Sequence, residues 1–216
     1  AAWYEAMEEW MKAIAVYEEM LELEYTKSFT YYKIGLCYKE NKQPLLALNC
    51  FQKSLRDDPQ FYLSMMEQSY IYEEMGGMKE ALHFAQEAVS LNENNLDFQK
   101  RLAFLYIDSG KFEESLECLK KLVDFEPQRF YNWYALSEVL MLLGEYEEAI
   151  STLQSATKKH NRAELYYQLS NCYFHMNNQK QGRNVLSIAL ELDPNLLEDM
   201  QLKYPFIKEE ADKVKA

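Results

Sequence analysis

One period governs this chain. Small residues stand at Gly35, Ser69, Ala103, Ser137 and Ser170, at intervals of 34, 34, 34 and 33 residues. Three positions after each comes a large one: Tyr38, Tyr72, Tyr106, Leu140 and Tyr173. A second small column runs Ala13, Ala47, Ala81, Ser115, Ala149 and Gly182, and a third runs Ser54, Ala88, Leu122, Ala156 and Ala189. Columns that keep one register from Ala13 to Ala189 mean that a single structural unit is built again and again, each copy packed on the next.

The unit itself is legible. Within each period the apolar residues follow i, i+3, i+4, i+7 over about thirteen residues, break, and resume for about thirteen more. That pattern predicts two helices per unit. The breaks GGMKEA at 76–81, GKFEES at 110–115 and GEYEEA at 144–149 place a glycine at the end of the first helix and an apolar residue two positions on at the start of the second. Pro59, Pro127 and Pro194 follow the second helix, where a residue unable to continue a helix belongs. The small columns let antiparallel helices approach to the 8–10 Å of close packing. Only 6 Gly and 5 Pro are present, too few turn formers for a sandwich or barrel of many short strands.

These columns resemble the tetratricopeptide repeat, whose pattern is W-x2-L-G-x2-Y, then A-x3-F, then P. Residues 28–61 carry it most fully, as Tyr31-x2-Ile34-Gly35-x2-Tyr38, Ala47-x3-Phe51 and Pro59. Residues 130–162 offer Trp133-x2-Leu136-Ser137 and Ala149-x3-Leu153, and 163–196 offer Tyr166-x2-Leu169-Ser170-x2-Tyr173 and Pro194. Residues 96–129 keep Tyr106, Ser115 and Pro127, while 62–95 depart most, with Met65 and Gln68 in apolar slots and Glu93 in the proline slot. The fold expected is all-α, a right-handed superhelical solenoid of antiparallel helix hairpins, with five repeats over 28–196. Counting back one period from Tyr38 and Ala47 reaches Tyr4 and Ala13, so residues 1–27 read as a repeat whose first helix is cut short and the register is expected to continue upstream. Residues 197–216 lose the columns and read as a cap, with Leu196, Leu197 and Met200 on the last hairpin and the Lys/Glu-rich end facing water.

No chemistry of catalysis emerges. Glu80-x-x-His83 has the spacing of half a di-iron site, but no second such pair exists. Cys172 and His175 share a helix face, yet two ligands do not make a zinc site, and a thiolate nucleophile needs more than a histidine nearby. Neither the phosphate-binding glycine motifs nor a nucleophile elbow occurs. The expectation is a non-enzyme with no cofactor and no metal. Cys37, Cys50, Cys118 and Cys172 form no C-x-x-C pair and read as reduced core residues, which suits a cytoplasmic setting. A net charge of −12 disfavours nucleic acid and anionic lipid, and no apolar run approaches the ~18 residues of a membrane span.

The resemblance implies that the first helices line a concave groove. Their faces away from the small columns supply a strip of Tyr32, Met66, Tyr70, Glu73, Lys100, Phe104, Tyr131, Tyr134, Glu138, Tyr167, Asn171 and Phe174 as the partner-binding residues. Tyrosine gives contact area at small entropic cost and methionine adapts to varied shapes. Some members of the family grip a chaperone's C-terminal carboxylate with paired Lys and Asn on successive first helices. Here Lys100 is followed by Phe104 rather than Asn, and Asn171 is preceded by Tyr167 rather than Lys, so that clamp is absent. The function expected is a scaffold for a peptide or helix of a partner protein, apolar with basic flanks answering Glu73, Asp97, Glu138 and Glu164. The alternative is a regulatory or substrate-recruiting region of a larger enzyme.

Overall fold

Six breaks in the chain share one backbone conformation, and it dictates the architecture. In the computed structural model, which describes residues 1–22 and 26–215, Glu8, Lys42, Gly76, Gly110, Gly144 and Asn177 all have positive φ, between 55° and 80°. They stand one period apart. Immediately after each, an N–H reaches back to the carbonyl five residues earlier: Glu9 to Tyr4, Gln43 to Tyr38, Gly77 to Tyr72, Lys111 to Tyr106, Glu145 to Leu140 and Asn178 to Tyr173, at 2.7–2.9 Å. This is the Schellman closure, in which a left-handed residue turns the chain and satisfies a carbonyl left over at the helix end. Glycine adopts that conformation without strain, whereas Glu8, Lys42 and Asn177 do so against the clash of their own Cβ.

Among the described residues there are fourteen α-helices and no strand. They are α1 (Ala2–Ala6), α2 (Trp10–Glu22), α3 (Lys27–Glu40), α4 (Pro44–Asp57), α5 (Tyr62–Glu74), α6 (Met78–Leu91) and α7 (Leu96–Asp108). Then follow α8 (Phe112–Phe125), α9 (Phe130–Leu142), α10 (Tyr146–Lys159), α11 (Ala163–His175), α12 (Gln179–Leu192), a 3₁₀ turn at Pro194–Leu196, α13 (Leu197–Lys203) and α14 (Pro205–Lys215). Residues 23–25, within the N-terminal repeat of the sequence reading, and 216, the last of its cap, lie outside the described residues. The helices group into two units, Ala1–Leu105 and Tyr106–Ala216.

In the N-terminal unit α3 packs on α4 and α5 on α6 as antiparallel hairpins, and α2 and α4 pack on the first helix that follows each. The seam between α2, α3 and α4 buries Ala13, Ile14, Tyr17, Ile34, Cys37 and Cys50. One step along, Ala47, Leu48, Phe51 and Ile71 form the next layer, flanked by Tyr32 and Tyr72. The small columns are fully enclosed: a Cβ on Gly35 would stand 2.5 Å from the Phe51 ring. In the C-terminal unit α9 packs on α8 and α10, and α11 on α10 and α12. There the close approach is mirrored, since a Cβ on Gly182 of α12 would stand 2.3 Å from the Phe174 ring of α11. Large and small have changed sides of the hairpin, and the seam keeps its volume.

One sequence expectation is overturned at the C-terminus. The Lys/Glu-rich end does not simply face water: Pro205 restarts the helix as α14, and Tyr204, Ile207, Glu210 and Ala211 are all buried. Spacings of three and four put them on one helical face, which docks on α11 and α12.

Candidate functional site

The first helices present their candidate binding residues on a scaffold of cross-repeat ion pairs. In the N-terminal unit Lys33 of α3 bridges to Glu5 of α1 at 2.9 Å, Lys39 of α3 to Glu67 of α5 at 2.6 Å, and Arg101 of α7 to Glu73 of α5 at 2.6 Å. Each pair is 28 residues apart, and each is one period on from the last. Tyr70 stands between two of them, with the Arg101 guanidinium 4.1 Å from its ring centroid and the Lys39 ammonium at 5.6 Å. Cations over an aromatic face are held by the ring's quadrupole, so Tyr70 belongs to a stacked polar ladder as much as to an apolar strip.

The other predicted residues of this unit divide. Phe104 is 42% exposed and Lys100 is exposed beside it on α7, as a binding face requires. Met66 is buried at 3% exposure and presents no surface. Tyr32 is half-buried against Phe51 and Phe61, and burial, with Glu67 adding to it, pushes its phenol up to about 12. It is a wall of the core with an edge at the surface.

In the C-terminal unit the correction is larger. Tyr131 is widely exposed, but Tyr167, Asn171 and Phe174 of α11 are buried. Tyr167 donates to the Asp193 carbonyl at 3.3 Å, Asn171 turns its amide to the Met141 sulfur at 3.7 Å, and Phe174 fills the notch left by Gly182. Tyr134 and Glu138 of α9 are half-exposed and already occupied. The Lys203 ammonium reaches the Tyr134 hydroxyl at 2.9 Å and the Glu138 carboxylate at 2.5 Å. Burial opposes its charge, yet Glu138 and Tyr134 outweigh it and hold the ammonium above its ordinary value.

Of the four acidic residues expected to answer a basic partner, three are answered within the chain: Glu73 by Arg101, Glu138 by Lys203 and Glu164 by Arg162. The sequence reading missed Glu67, Arg101 and Lys203. A signal existed for the first two, because positions 33 and 39, then 67 and 73, carry like charges within a repeat and opposite charges between repeats.

Two clefts open between second helices, each inside its own unit. One, of about 430 Å³, lies over Trp133 between α8 and α10, with Lys120 and Glu148 bridged at 2.7 Å across its rim. The other, of about 230 Å³, lies over Tyr31 between α2 and α4. Trp133 and Tyr31 are three periods apart, so the clefts are the same notch in two copies.

All four cysteines are free and buried, and burial pushes Cys37, Cys50 and Cys118 up to about 11 and Cys172 up to about 12. His175 stacks on Tyr146 at 4.4 Å and meets Phe206 edge-on at 4.8 Å, while His83 is exposed next to Glu87. Among the described residues no three His, Cys, Asp or Glu gather as a metal site, and no helix is long and apolar enough to cross a membrane.

A family model described as tetratricopeptide repeat matches residues 4–171, and a second of the same description matches 163–196. A TPR repeat-containing protein of Methanocaldococcus jannaschii, MJ1428, is 27% identical over 145 residues, covering 67% of this chain and 23% of that protein. The chain thus spans about a quarter of that relative's length. Among solved structures, YrrB, described as a TPR protein with an unusual peptide-binding site, superposes with a TM-score of 0.75 at 17% identity, covering 87% of this chain and 97% of its own. MamA superposes with a TM-score of 0.67 at 17% identity, covering 82% and 95%. At that identity the likeness is one of fold.

Proposed function

The chain belongs to the tetratricopeptide-repeat family, and from that premise we propose that it is a non-catalytic scaffold whose first helices hold a peptide or helix of a partner protein. The observation that carries the reading is Phe104. It is 42% exposed on a helix whose neighbours Leu102, Ala103 and Leu105 are buried. A large aromatic left at the surface of an ordered helix, one period on from the cation-flanked Tyr70, is the kind of side chain on which binding energy concentrates. The peptide-binding site ascribed to YrrB lends the reading support by likeness of fold.

The partner is apolar where it meets Phe104, and Asp97, exposed on the same helix, favours a basic residue beside that contact. The test is capture from native lysate followed by titration of the identified binder. Phe104→Ala is expected to weaken binding by about 2 kcal/mol or more, roughly thirtyfold, with helicity unchanged by circular dichroism. Equal binding by the folded variant would move the docking surface elsewhere, and the clefts over Trp133 and Tyr31 are the next places to substitute.

A further inference from the structure

We propose that the Tyr134–Glu138 face of α9 is a recognition site for a segment carrying a lysine followed by an aromatic residue, and that the protein's own Lys203-Tyr204 fills it until a partner takes its place. The inference rests on the scaffold reading and names the chemistry of one of its sites.

The occupant argues for this itself. Lys203 lies at the corner between α13 and α14, 69 residues from Tyr134, and satisfies both side chains that the repeat pattern leaves on this part of α9. Its ammonium lies 5.0 Å from the Tyr134 ring centroid, on the hydroxyl side, so one lysine meets a carboxylate and a hydroxyl together. Tyr204 beside it is only 7% exposed. Its hydroxyl is enclosed by Tyr134, Glu138 and Gln168. Leu202, the residue before, is 86% exposed, while Tyr204 belongs to the buried face that continues through Ile207, Glu210 and Ala211. Farther on, Ile207 and Ala211 hold α14 against α11 and α12.

The probe is a fluorescein-labelled peptide of residues 198–211, EDMQLKYPFIKEEA, titrated by anisotropy against the full chain. The chain is tested as it stands and with Lys203→Ala and Tyr204→Ala, which vacate the slot without adding charge. The opened chain is expected to bind the peptide roughly tenfold more tightly than the parent or better. Glu138→Lys in the opened chain should abolish that gain, and a peptide carrying Lys203→Glu should restore it, a charge-swap rescue that a purely structural role does not give. Circular dichroism monitors folding, and Lys203→Ala alone serves if the double variant is not folded. Equal affinity for parent and opened chains, or no rescue by the swapped charges, overturns the proposal. Because the peptide assay needs no partner, its failure alongside Phe104-dependent capture leaves the scaffold reading standing, and the reverse result leaves this site standing without it.

Discussion

Gln68 shows how much one residue's slot decides. It occupies the position held by Ile34, Leu102, Leu136 and Leu169 in the other repeats, is fully buried, and neither of its amide atoms has a hydrogen-bond partner among the described residues. The sequence marked it as a departure, and its burial follows from the period alone. A buried amide without partners costs about 1–3 kcal/mol, and leucine restores the apolar contact at similar volume. Gln68→Leu is therefore expected to raise the urea midpoint by an amount equivalent to about 1–3 kcal/mol. An unchanged or lower midpoint would show that the amide is satisfied after all. The partner of Arg101 was harder to read, because a long side chain at a helix edge can run toward either neighbour, and only the assembled helices show it crossing to Glu73 and the Ser69 carbonyl.

Helix boundaries were the most legible part of the sequence. Every break that it marked by glycine turns through a left-handed residue, and the same closure recurs at Lys42 and Asn177, where the glycine signal is missing. Position in the period, not residue type, decides the turn. A left-handed conformation costs a residue with a Cβ about 1–2 kcal/mol, partly offset by the extra freedom that glycine brings to the unfolded chain. Lys42→Gly should accordingly stabilise the protein by up to about 1 kcal/mol, and Gly110→Ala should destabilise it by about 1 kcal/mol or more. Chemical denaturation of the pair checks both signs. If Lys42→Gly lowers stability, the lysine is making contacts that outweigh its strain. Legibility fails at α14, which lies beyond the last repeat: no column of the period says that Ile207 and Ala211 return to the body of the protein, or that Lys203 comes to rest on α9.

Each unit is held by neighbouring helices rather than by a single centre. In the N-terminal unit, Ile34 and Cys37 of one hairpin are covered by Ala13, Ile14 and Tyr17 of the preceding helix. A fragment of residues 28–95, two hairpins without that helix or the one that follows, exposes both end faces and should be largely unfolded at 25 °C, with no cooperative melt. A sharp thermal transition in that fragment would mean that a hairpin pair carries its own core. The strip of twelve candidate residues was legible only in part for the same reason. The period tells which side of a helix faces away from its own hairpin, but Met66 is covered on that side all the same, and a non-repeating segment occupies Tyr134 and Glu138.

The ladder of ion pairs has the form of a parity check. Reading along the N-terminal unit, the charges run Glu5, then Lys33 and Lys39, then Glu67 and Glu73, then Arg101, so each hairpin shows the same sign to both sides and its neighbour shows the opposite. A hairpin stacked on a duplicate of itself would set lysine against lysine or glutamate against glutamate. A hairpin that skipped one neighbour would make the same error, Lys39 meeting Arg101. Slips by one copy are thus penalised, while a slip by two would pass unnoticed. Near-identical modules invite misassembly, and alternation of sign lets them be ordered by the simplest possible code, one bit per repeat.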